Sequence, residues 1–197
     1  KRVGLLGGTF DPPHLGHLWL AETAVTQLRL DEIIFMPVGQ PPHKKDRLVS
    51  DIDHRMAMTR LAIGNDKRFT VSTLDVERQP PHTTVTLLPL LRPRLGNSKL
   101  WLLTGSDSLR DLPAWSNPQA LIAQCRLAVL SRPGVEVDWI ALETAVTGIS
   151  AEVDMLDGPE ISLSSTELRG WASRGHPLKH LVPESVCHYI VKHNLYI

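Results

Sequence analysis

The 197-residue chain lacks several features that mark specialised classes of protein. Its two cysteines, Cys125 and Cys187, are far apart and have no C-x-x-C partner. That spacing argues against a disulfide framework or a zinc knuckle, favours a reducing compartment and predicts two core thiols. No segment approaches the ~18 consecutive apolar residues of a membrane span, and the first residues predict a strand in place of a signal peptide. We therefore expect a cytoplasmic protein with no membrane partner.

An excess of charge of either sign is also absent. Lys plus Arg and Asp plus Glu both number 21, and no basic stripe is visible, so no nucleic-acid partner is expected. The length predicts a single domain over residues 1–197, large enough to bury a core, with residues 160–197 as a helical C-terminal part. Small molecules are therefore the expected ligands, and the sequence is compatible with a homo-oligomer.

One segment near the N-terminus has an unusual composition. Residues 7–17 read Gly-Gly-Thr-Phe-Asp-Pro-Pro-His-Leu-Gly-His, after a short apolar run and before apolar residues at helical spacing. This pattern predicts a strand, a loop and the start of a helix. Gly7 and Gly8 permit close approach of the backbone to a phosphate, and the helix N-terminus would supply free N–H groups. His14 and His17, three residues apart, would point to one side of the first helical turn as donors to phosphate oxygens.

Two other interpretations fit parts of this segment. A tight glycine turn with two surface histidines is one, but it leaves the combination of residues unexplained. A zinc site is the other, and it would need a third ligand, for which Asp11 is the only nearby candidate.

Short apolar strands alternate with helical segments along the rest of the chain. Strands are predicted over residues 3–6, 33–36, 69–76, 99–103, 126–130 and 152–156. Helices are predicted over residues 51–63 with Ser50 as cap, 86–95 despite Pro89 and Pro93, 117–124, 137–147, 164–169 and 183–193. The alternation predicts an α/β, Rossmann-like doubly wound fold, with a mostly parallel sheet and helices on both faces. Ligands bind such folds at the carboxyl ends of the strands, so loops 7–17, 39–45 and 104–107 should converge.

A second group of hydroxyl residues lies near the C-terminus. Ser164, Ser165 and Thr166 precede a predicted helix, and Arg169 follows one turn later. Hydroxyls, free N–H groups and a guanidinium together suit a triphosphate. An ordinary capping box, with Ser164 as cap and Glu167 three residues on, is the alternative. The presence of His-x-Gly-His in the same chain favours the phosphate clamp.

The two motifs resemble those of the nucleotidyltransferase superfamily, specifically of bacterial nicotinate-nucleotide adenylyltransferases. Residues 163–169 are similar to the family's Ile-Ser-Ser-Thr-x-Ile-Arg, with departures at Leu163 and Leu168. The resemblance implies that His14, His17 and Arg169 are catalytic. It also implies an ATP site made of Gly7, Gly8, Thr9, Phe10, His14, Gly16, His17, Gly105, Asp107, Ser164, Ser165, Thr166 and Arg169.

Further segments resemble the nicotinate branch of the superfamily. Gly105-x-Asp107 and Pro113-x-Trp115 look like elements in which the acid region meets ribose and the indole stacks on the pyridine ring. A flat π-face suits such a ring, and a buried structural tryptophan is the alternative. We assign that structural role to the four other tryptophans, Trp19, Trp101, Trp139 and Trp171.

The acceptor site departs from the family at one loop. Residues 81–84 read Pro-His-Thr-Thr where the family has Pro-Ser-Tyr-Thr, whose backbone N–H groups bind the nicotinate carboxylate. Thr84 is retained, and the tyrosine is lost. His43, Lys44 and Arg132 are candidates for binding the mononucleotide phosphate, with solvated surface charge as the alternative.

The resemblance implies transfer of AMP from ATP to the 5′-phosphate of nicotinate mononucleotide, which gives deamido-NAD and pyrophosphate in NAD biosynthesis. Mg²⁺ would be bound through the ATP phosphates, with no metal site of the protein's own. Nicotinamide mononucleotide and phosphopantetheine are alternative acceptors, although the pantetheine branch usually has threonine where His14 stands and a shorter chain. A cytidylyltransferase and a catalytically inactive nucleotide-binding regulator are further alternatives.

Overall fold

A single parallel sheet organises the protein. The computed structural model describes residues 1–39 and 49–196. Its strands are β1 (Arg2–Gly8), β2 (Glu32–Pro37), β3 (Phe69–Val71), β4 (Lys99–Gly105), β5 (Arg126–Leu130) and β6 (Val153–Leu156). They lie in the order β3-β2-β1-β4-β5-β6, and every neighbouring pair is parallel. The order reverses between β1 and β4, as in a doubly wound sheet, so the expected Rossmann-like α/β fold is confirmed.

Helices connect the strands and follow the last of them. They are α1 (Leu15–Leu28), α2 (Ile52–Ile63), α3 (Leu74–Glu77), α4 (Thr84–Leu95), α5 (Ser106–Arg110), α6 (Pro118–Ile122), α7 (Trp139–Ala145), α8 (Ile149–Glu152), α9 (Ser165–Ala172) and α10 (Glu184–Lys192). A 3₁₀ turn, Leu112–Ala114, lies between α5 and α6. Across residues 1–39 and 49–196, no helix has the length and apolar character needed to cross a membrane.

The apolar core is divided by the sheet into two layers. Strand side chains alternate between the faces, so Leu100 and Leu102 join the cluster that contains Leu88 of α4. Trp101 and Leu103 point to the opposite face and pack with the cluster that includes Ala21 and Ala24 of α1. Helices therefore cover both faces of the sheet, as the alternation of elements predicts.

A third apolar cluster holds the C-terminal helices against α2. Met58 of α2 is fully buried and shares this cluster with Leu168 of α9 and with Val186 and Ile190 of α10. This packing brings the start of α9 to the carboxyl edge of the sheet. Residues 164–169 thus reach the N-terminal motif across more than half of the sequence.

Several element boundaries differ from the sequence-based expectations. The strand predicted over residues 69–76 ends at Val71, because side chains then form local hydrogen bonds that favour a turn: Leu74 N–H donates to Ser72 Oγ at 3.3 Å and Thr73 Oγ1 donates to Glu77 at 2.5 Å. The sequence-predicted loop 104–107 is no loop, since β4 runs to Gly105 and α5 begins at Ser106.

The helices show smaller differences. Asp51, not Ser50, is the N-cap of α2. Helix α4 includes Pro89 and Pro93, both on its exposed side, where water can satisfy the carbonyls that lose an N–H partner. Helices α6 and α7 are shorter than expected, and the side chain of Asn117 caps α6.

The two cysteines have different environments. Cys125 is buried, and this burial raises the pKa of its thiol to about 12. Cys187 is only partly buried, so the expectation of a core thiol is confirmed for the first cysteine alone.

Candidate active site

The first motif forms a compact connection between β1 and α1. Phe10 adopts a left-handed conformation with φ +51 and is 1% exposed. Its ring packs edge-on against His17, with 4.9 Å between centroids. A Cβ on Gly8 would lie 3.2 Å from the Phe10 ring, so glycine is needed for this packing. The loop conformation is therefore set by the contact between Phe10 and its neighbours.

The two histidines of the motif lie side by side at the start of α1. Their ring centroids are 3.8 Å apart, which confirms that both rings occupy one side of the first turn. The backbone N–H of His14 donates to Nδ1 of His17 at 3.1 Å. Because Nδ1 accepts this hydrogen bond, the proton of a neutral His17 ring resides on Nε2.

The environment keeps both imidazoles neutral at physiological pH. Burial, followed by the charge of Arg132, lowers the pKa of His14 to about 4. Burial, followed by the charges of His14 and Arg132, lowers the pKa of His17 well below its usual range. His14 Nδ1 is buried and has no hydrogen-bond partner within the described part of the chain. The pair therefore offers ring N–H groups to an anion without carrying a preformed charge.

The second motif contacts the first directly. Ser165 Oγ donates to the carbonyl oxygen of Pro12 at 2.8 Å, and Arg169 Nη1 donates to that of Asp11 at 2.7 Å. Ser164 is the N-cap of α9: its Oγ accepts the N–H of Glu167 at 3.2 Å and donates to the carboxylate of that residue at 2.6 Å. Ser164 therefore caps α9, but Glu167 accepts its hydroxyl and not its backbone N–H, so the reciprocal capping box is not formed. The cap orients a helix start that also meets the first motif.

Thr166 lies in the first turn of α9, beside the arginine of the motif. Its Oγ1 is 3.5 Å from Nη2 of Arg169, so hydroxyl and guanidinium share one side of the turn. This arrangement confirms the prediction that hydroxyls and an arginine lie together at the start of a helix.

A fully buried carboxylate, Asp11, joins the motif to two distant segments. Tyr196 donates its hydroxyl proton to Oδ1 at 2.6 Å, and the N–H of Ser50 donates to Oδ2 at 3.1 Å. Burial and the charge of Asp11 raise the pKa of the Tyr196 hydroxyl. The Asp11 carboxylate is thus occupied by protein donors, which disfavours the zinc interpretation. No group of three His, Cys, Asp or Glu side chains among residues 1–39 and 49–196 is arranged to hold a metal ion.

A buried arginine links the loops that follow β1 and β2. Arg55 is 2% exposed, and burial lowers the pKa of its guanidinium. It donates to the carbonyl oxygens of Ser50 at 3.0 Å, Thr9 at 3.1 Å, Val38 at 2.7 Å and Gly39 at 3.1 Å. Sequence reasoning missed both Arg55 and Tyr196, because their partners are remote in sequence and no motif contains them.

The residues at the ends of β4 and β5 lie beside the first motif and line a pocket with it. Ser106 Oγ accepts the N–H of Arg132 at 2.9 Å, and Arg132 Nη1 lies 3.3 Å from the Asp107 carboxylate. A Cβ on Gly105 would be 2.6 Å from Asp107 and 2.7 Å from Arg132, so a larger residue here would displace both of these side chains. Gly16, Gly105, Arg132 and Leu163 line a small pocket that touches both motifs. Arg132 is therefore beside the predicted ATP residues, and its binding of the mononucleotide phosphate stays a prediction.

A larger cavity opens on the other side of β1. Its volume is about 690 Å³, which is the size of known small-ligand sites. Gly7, Gly8 and Thr9 of the first motif line it together with Thr104 and Trp115. The convergence of residues 7–17 with the end of β4 is thus confirmed. Of the third predicted loop the structure describes only Gly39, and the candidates His43 and Lys44 lie outside the described residues.

The loop before α4 forms the outer wall of this cavity. Thr84 and Val85, in the first turn of α4, line it and donate no backbone hydrogen bond within the described chain. Arg78 fixes the loop by donating to the carbonyl oxygens of Pro81 at 2.9 Å and Thr83 at 3.1 Å. The helix start consequently has two free N–H groups at the cavity that Trp115 also lines.

The remaining tryptophans have varied surroundings. Trp101 is 3% exposed and donates its indole N–H to Asp154 at 2.8 Å, as a structural residue would. Trp19 is partly buried and lines the small pocket. Trp139 and Trp171 are 38% and 42% exposed, so the expectation that they are buried is wrong.

Comparison with known proteins identifies similar chains. The family model for cytidylyltransferase-like proteins matches residues 5–170. A probable nicotinate-nucleotide adenylyltransferase of Thermomicrobium roseum is 40% identical over 196 residues, covering 100% of this chain and 92% of the relative. One from Herpetosiphon aurantiacus is also 40% identical, with coverage of 100% and 99%. The nicotinic acid mononucleotide adenylyltransferase of Plasmodium falciparum, solved in complex with NaAD, has a similar fold, with a TM-score of 0.81, 20% identity and coverage of 100% and 97%.

Proposed function

The chain belongs to the nicotinate-nucleotide adenylyltransferases of the cytidylyltransferase-like family, and on that premise we propose that it transfers AMP from ATP to nicotinate mononucleotide. The products are deamido-NAD and pyrophosphate, as in NAD biosynthesis. One observation carries the assignment of the site: the two phosphate motifs contact each other at the sheet edge, beside a cavity of about 690 Å³. A nucleotide on the motifs and a mononucleotide in the cavity would meet at Gly7 and Gly8.

The reaction needs little proton transfer. The attacking 5′-phosphate is already anionic near neutral pH, so neither a general base nor a covalent intermediate is required. Catalysis then consists of positioning the two phosphates in line and stabilising the charge that develops on the α-phosphate and the departing pyrophosphate.

Specific donors supply this stabilisation. His17 Nε2–H and the ring of His14 donate to phosphate oxygens at the start of α1. The guanidinium of Arg169 adds positive charge and the hydroxyl of Thr166 adds a donor at the start of α9, while Ser165 holds this helix start against Pro12. Since both histidines are neutral before binding, the site offers hydrogen bonds without paying the cost of two buried imidazolium ions.

Magnesium enters as part of the substrate. The donor set supports this, because no cage of three ligating side chains exists within residues 1–39 and 49–196, and ATP oxygens and water are sufficient ligands for a hard, octahedral cation. When bound, the ion offsets phosphate charge. The protein residues hold the nucleotide that carries it.

The acceptor occupies the cavity. Trp115 stacks against the pyridine ring, and the free N–H groups of Thr84 and Val85 bind the nicotinate carboxylate at the positive end of α4. These main-chain donors do not depend on the side chain at position 83, which supports acid recognition despite the missing tyrosine. We retain His43, Lys44 and Arg132 as candidates for the acceptor phosphate.

Pyrophosphate release is the direct test of this function. Purified protein is supplied with ATP, magnesium and either nicotinate mononucleotide, nicotinamide mononucleotide or phosphopantetheine, with a reaction lacking acceptor as control. We expect release with nicotinate mononucleotide and a clear preference for it. Equal or better use of the amide would overturn the acid specificity. ATP binding without release under any condition would favour the inactive nucleotide-binding regulator.

A further inference from the structure

The acceptor cavity is lined by the imidazole of a buried histidine. Its described lining residues include two ionisable side chains, Asp75 and His82. His82 follows Pro81 in the loop before α4 and is 8% exposed. The described wall therefore offers a ligand one acid and one histidine, and no lysine or arginine.

The geometry determines which ring nitrogen of His82 carries the proton. Nδ1 lies 3.2 Å from Oδ2 of Asp75, and the N–H of Gly39 donates to the same oxygen at 2.9 Å. Arg78 donates to the other oxygen, Oδ1, at 2.7 Å. Because this carboxylate only accepts, Nδ1 of His82 holds a proton. Nε2 is then a hydrogen-bond donor when the ring is protonated and an acceptor when it is neutral.

The loop itself is held by another residue. Arg78 donates to the carbonyl oxygens of Pro81 and Thr83 and, at 2.8 Å, to Oγ1 of Thr86. These hydrogen bonds fix the backbone on both sides of His82 without using its ring. Nε2 of His82 has no hydrogen-bond partner within the described chain, and the residue lines the cavity that Trp115 also lines.

We propose that His82 is a specificity-determining residue, whose Nε2 contacts the substituent at position 3 of the acceptor's pyridine ring. This inference rests on the proposed function and deepens it. A protonated ring donates to a carboxylate, and binding of nicotinate to the neutral ring takes up one proton from solvent at Nε2. A carboxamide can instead donate its N–H to the neutral ring, with no proton uptake. Asp75 and its partner Arg78 are the charged groups that face this ring from the described elements packed against it.

Selectivity between the two mononucleotides tests the proposal. His82→Asn keeps a donor for Asp75 at the Nδ1 position and removes Nε2. We expect about tenfold weaker binding and turnover of nicotinate mononucleotide, as for loss of a charge-assisted hydrogen bond, with nicotinamide mononucleotide changed by about twofold or less.

The control perturbs the same loop outside the cavity. Thr86→Ala removes a partner of Arg78 and should change both acceptors equally. Melting temperatures show whether each variant is folded, and His82→Gln provides a second neutral replacement. A His82 variant that changes both acceptors alike would overturn the proposal.

Two readouts separate this inference from the proposed function. Calorimetry without magnesium measures acceptor binding, and pyrophosphate release measures turnover. Selective binding that depends on His82 without any turnover would refute the enzyme function and support the contact. Turnover with unaltered selectivity in the His82 variant would support the enzyme function and refute the contact.

Discussion

The two histidines at the start of α1 have different hydrogen-bond partners, so their roles can be tested separately. His17 accepts a hydrogen bond from the backbone of His14, so its Nε2–H is oriented before any ligand arrives. His14 is 2% exposed, and its Nδ1 has no partner among the described residues. One side chain is thus arranged for donation, while the other is a buried polar group whose protonation is costly.

Replacing His17 should affect turnover far more than folding. His17→Ala removes a donor that, in the proposed function, binds a phosphate, and loss of one such donor typically lowers kcat by about 10²-fold. We expect a decrease of that size in steady-state pyrophosphate release, with a change in melting temperature of only a few degrees. His188→Ala, on the exposed face of α10, is the matched control and should change neither. A large loss of thermal stability with turnover preserved would contradict the catalytic role.

His14 should make the folded state sensitive to acid. Its folded-state pKa of about 4 lies below the ordinary value of 6.5, so its contribution to stability is complete above about pH 6.5 and is lost as pH falls towards 4. Between about pH 7.5 and 5, the free energy of unfolding should fall by about 2 kcal/mol more in the wild type than in His14→Asn. Urea unfolding at the two pH values measures this difference. Parallel losses in both proteins would show that His14 is not the group responsible.

Among the connecting elements, α2 fixes the loops through a single side chain. Arg55 donates to four backbone carbonyl oxygens that belong to three separate segments. Lysine carries the charge but lacks the planar fork of donors, so Arg55→Lys leaves several buried carbonyls unpaired. We expect a loss of about 3 kcal/mol in the free energy of unfolding. Arg60→Lys, an exposed position on the same helix, should change it by about 0.5 kcal/mol or less. Similar losses at both positions would refute the clamp.

The chain's two tyrosines provide a matched pair for testing the segment after α10. Tyr196 donates to the buried carboxylate of Asp11, whereas Tyr189 lies 3.0 Å from His54 nearer the surface. Tyr196→Phe should destabilise the protein by about 1–3 kcal/mol and lower turnover, because Asp11 loses a partner inside the first motif. Tyr189→Phe should have a smaller effect on unfolding and none on turnover. Equal unfolding free energies in the two variants would be inconsistent with this role.

Whether the sequence predicts a feature of these elements depends on how far apart in the sequence its contacting residues lie. The segment 7–17 and the start of α9 follow from local chemistry: glycines for close approach, a capping serine, and histidines three apart. Arg55 and Tyr196 escape prediction because their partners are carbonyl oxygens and a carboxylate up to 185 positions away. The strand predicted through residue 76 is wrong for a related reason, since β3 stops where local side-chain bonds outweigh its apolar character.

At the scale of the whole molecule, the two ligand regions lie on different sides of β1 and should be separable. Trp115→Ala removes the proposed stacking surface from the larger cavity, and stacking of this kind is worth roughly 1–3 kcal/mol. We expect KM for nicotinate mononucleotide to rise about tenfold or more, with KM for ATP unchanged.

Trp139→Ala is the control for this change, since that indole is exposed on α7. Because Trp115 also packs against the core of α4 and α6, Trp115→Phe and a melting curve are included. An equal rise in both Michaelis constants would indicate a general disturbance of the sheet edge.

The fold class follows from the sequence, but the assignment of individual residues to the two ligand regions does not. Alternating apolar runs predict a parallel sheet, and the sheet's reversal then places the site at the ends of β1 and β4. The assignment of Arg132 to the smaller pocket and of His82 to the larger cavity depends on three-dimensional packing, which periodicity cannot encode.

The contact of α9 with the first motif also has a consequence for protein synthesis. Residues 7–17 leave the ribosome early, and the strands around them can pair as translation proceeds. Arg169 and Ser165, which dock on Asp11 and Pro12, are made more than 150 residues later. A nascent chain, or a product of premature termination before Ser164, would display the glycines and histidines without their clamp. If the proposed function holds, competent nucleotide binding is deferred until translation is almost finished.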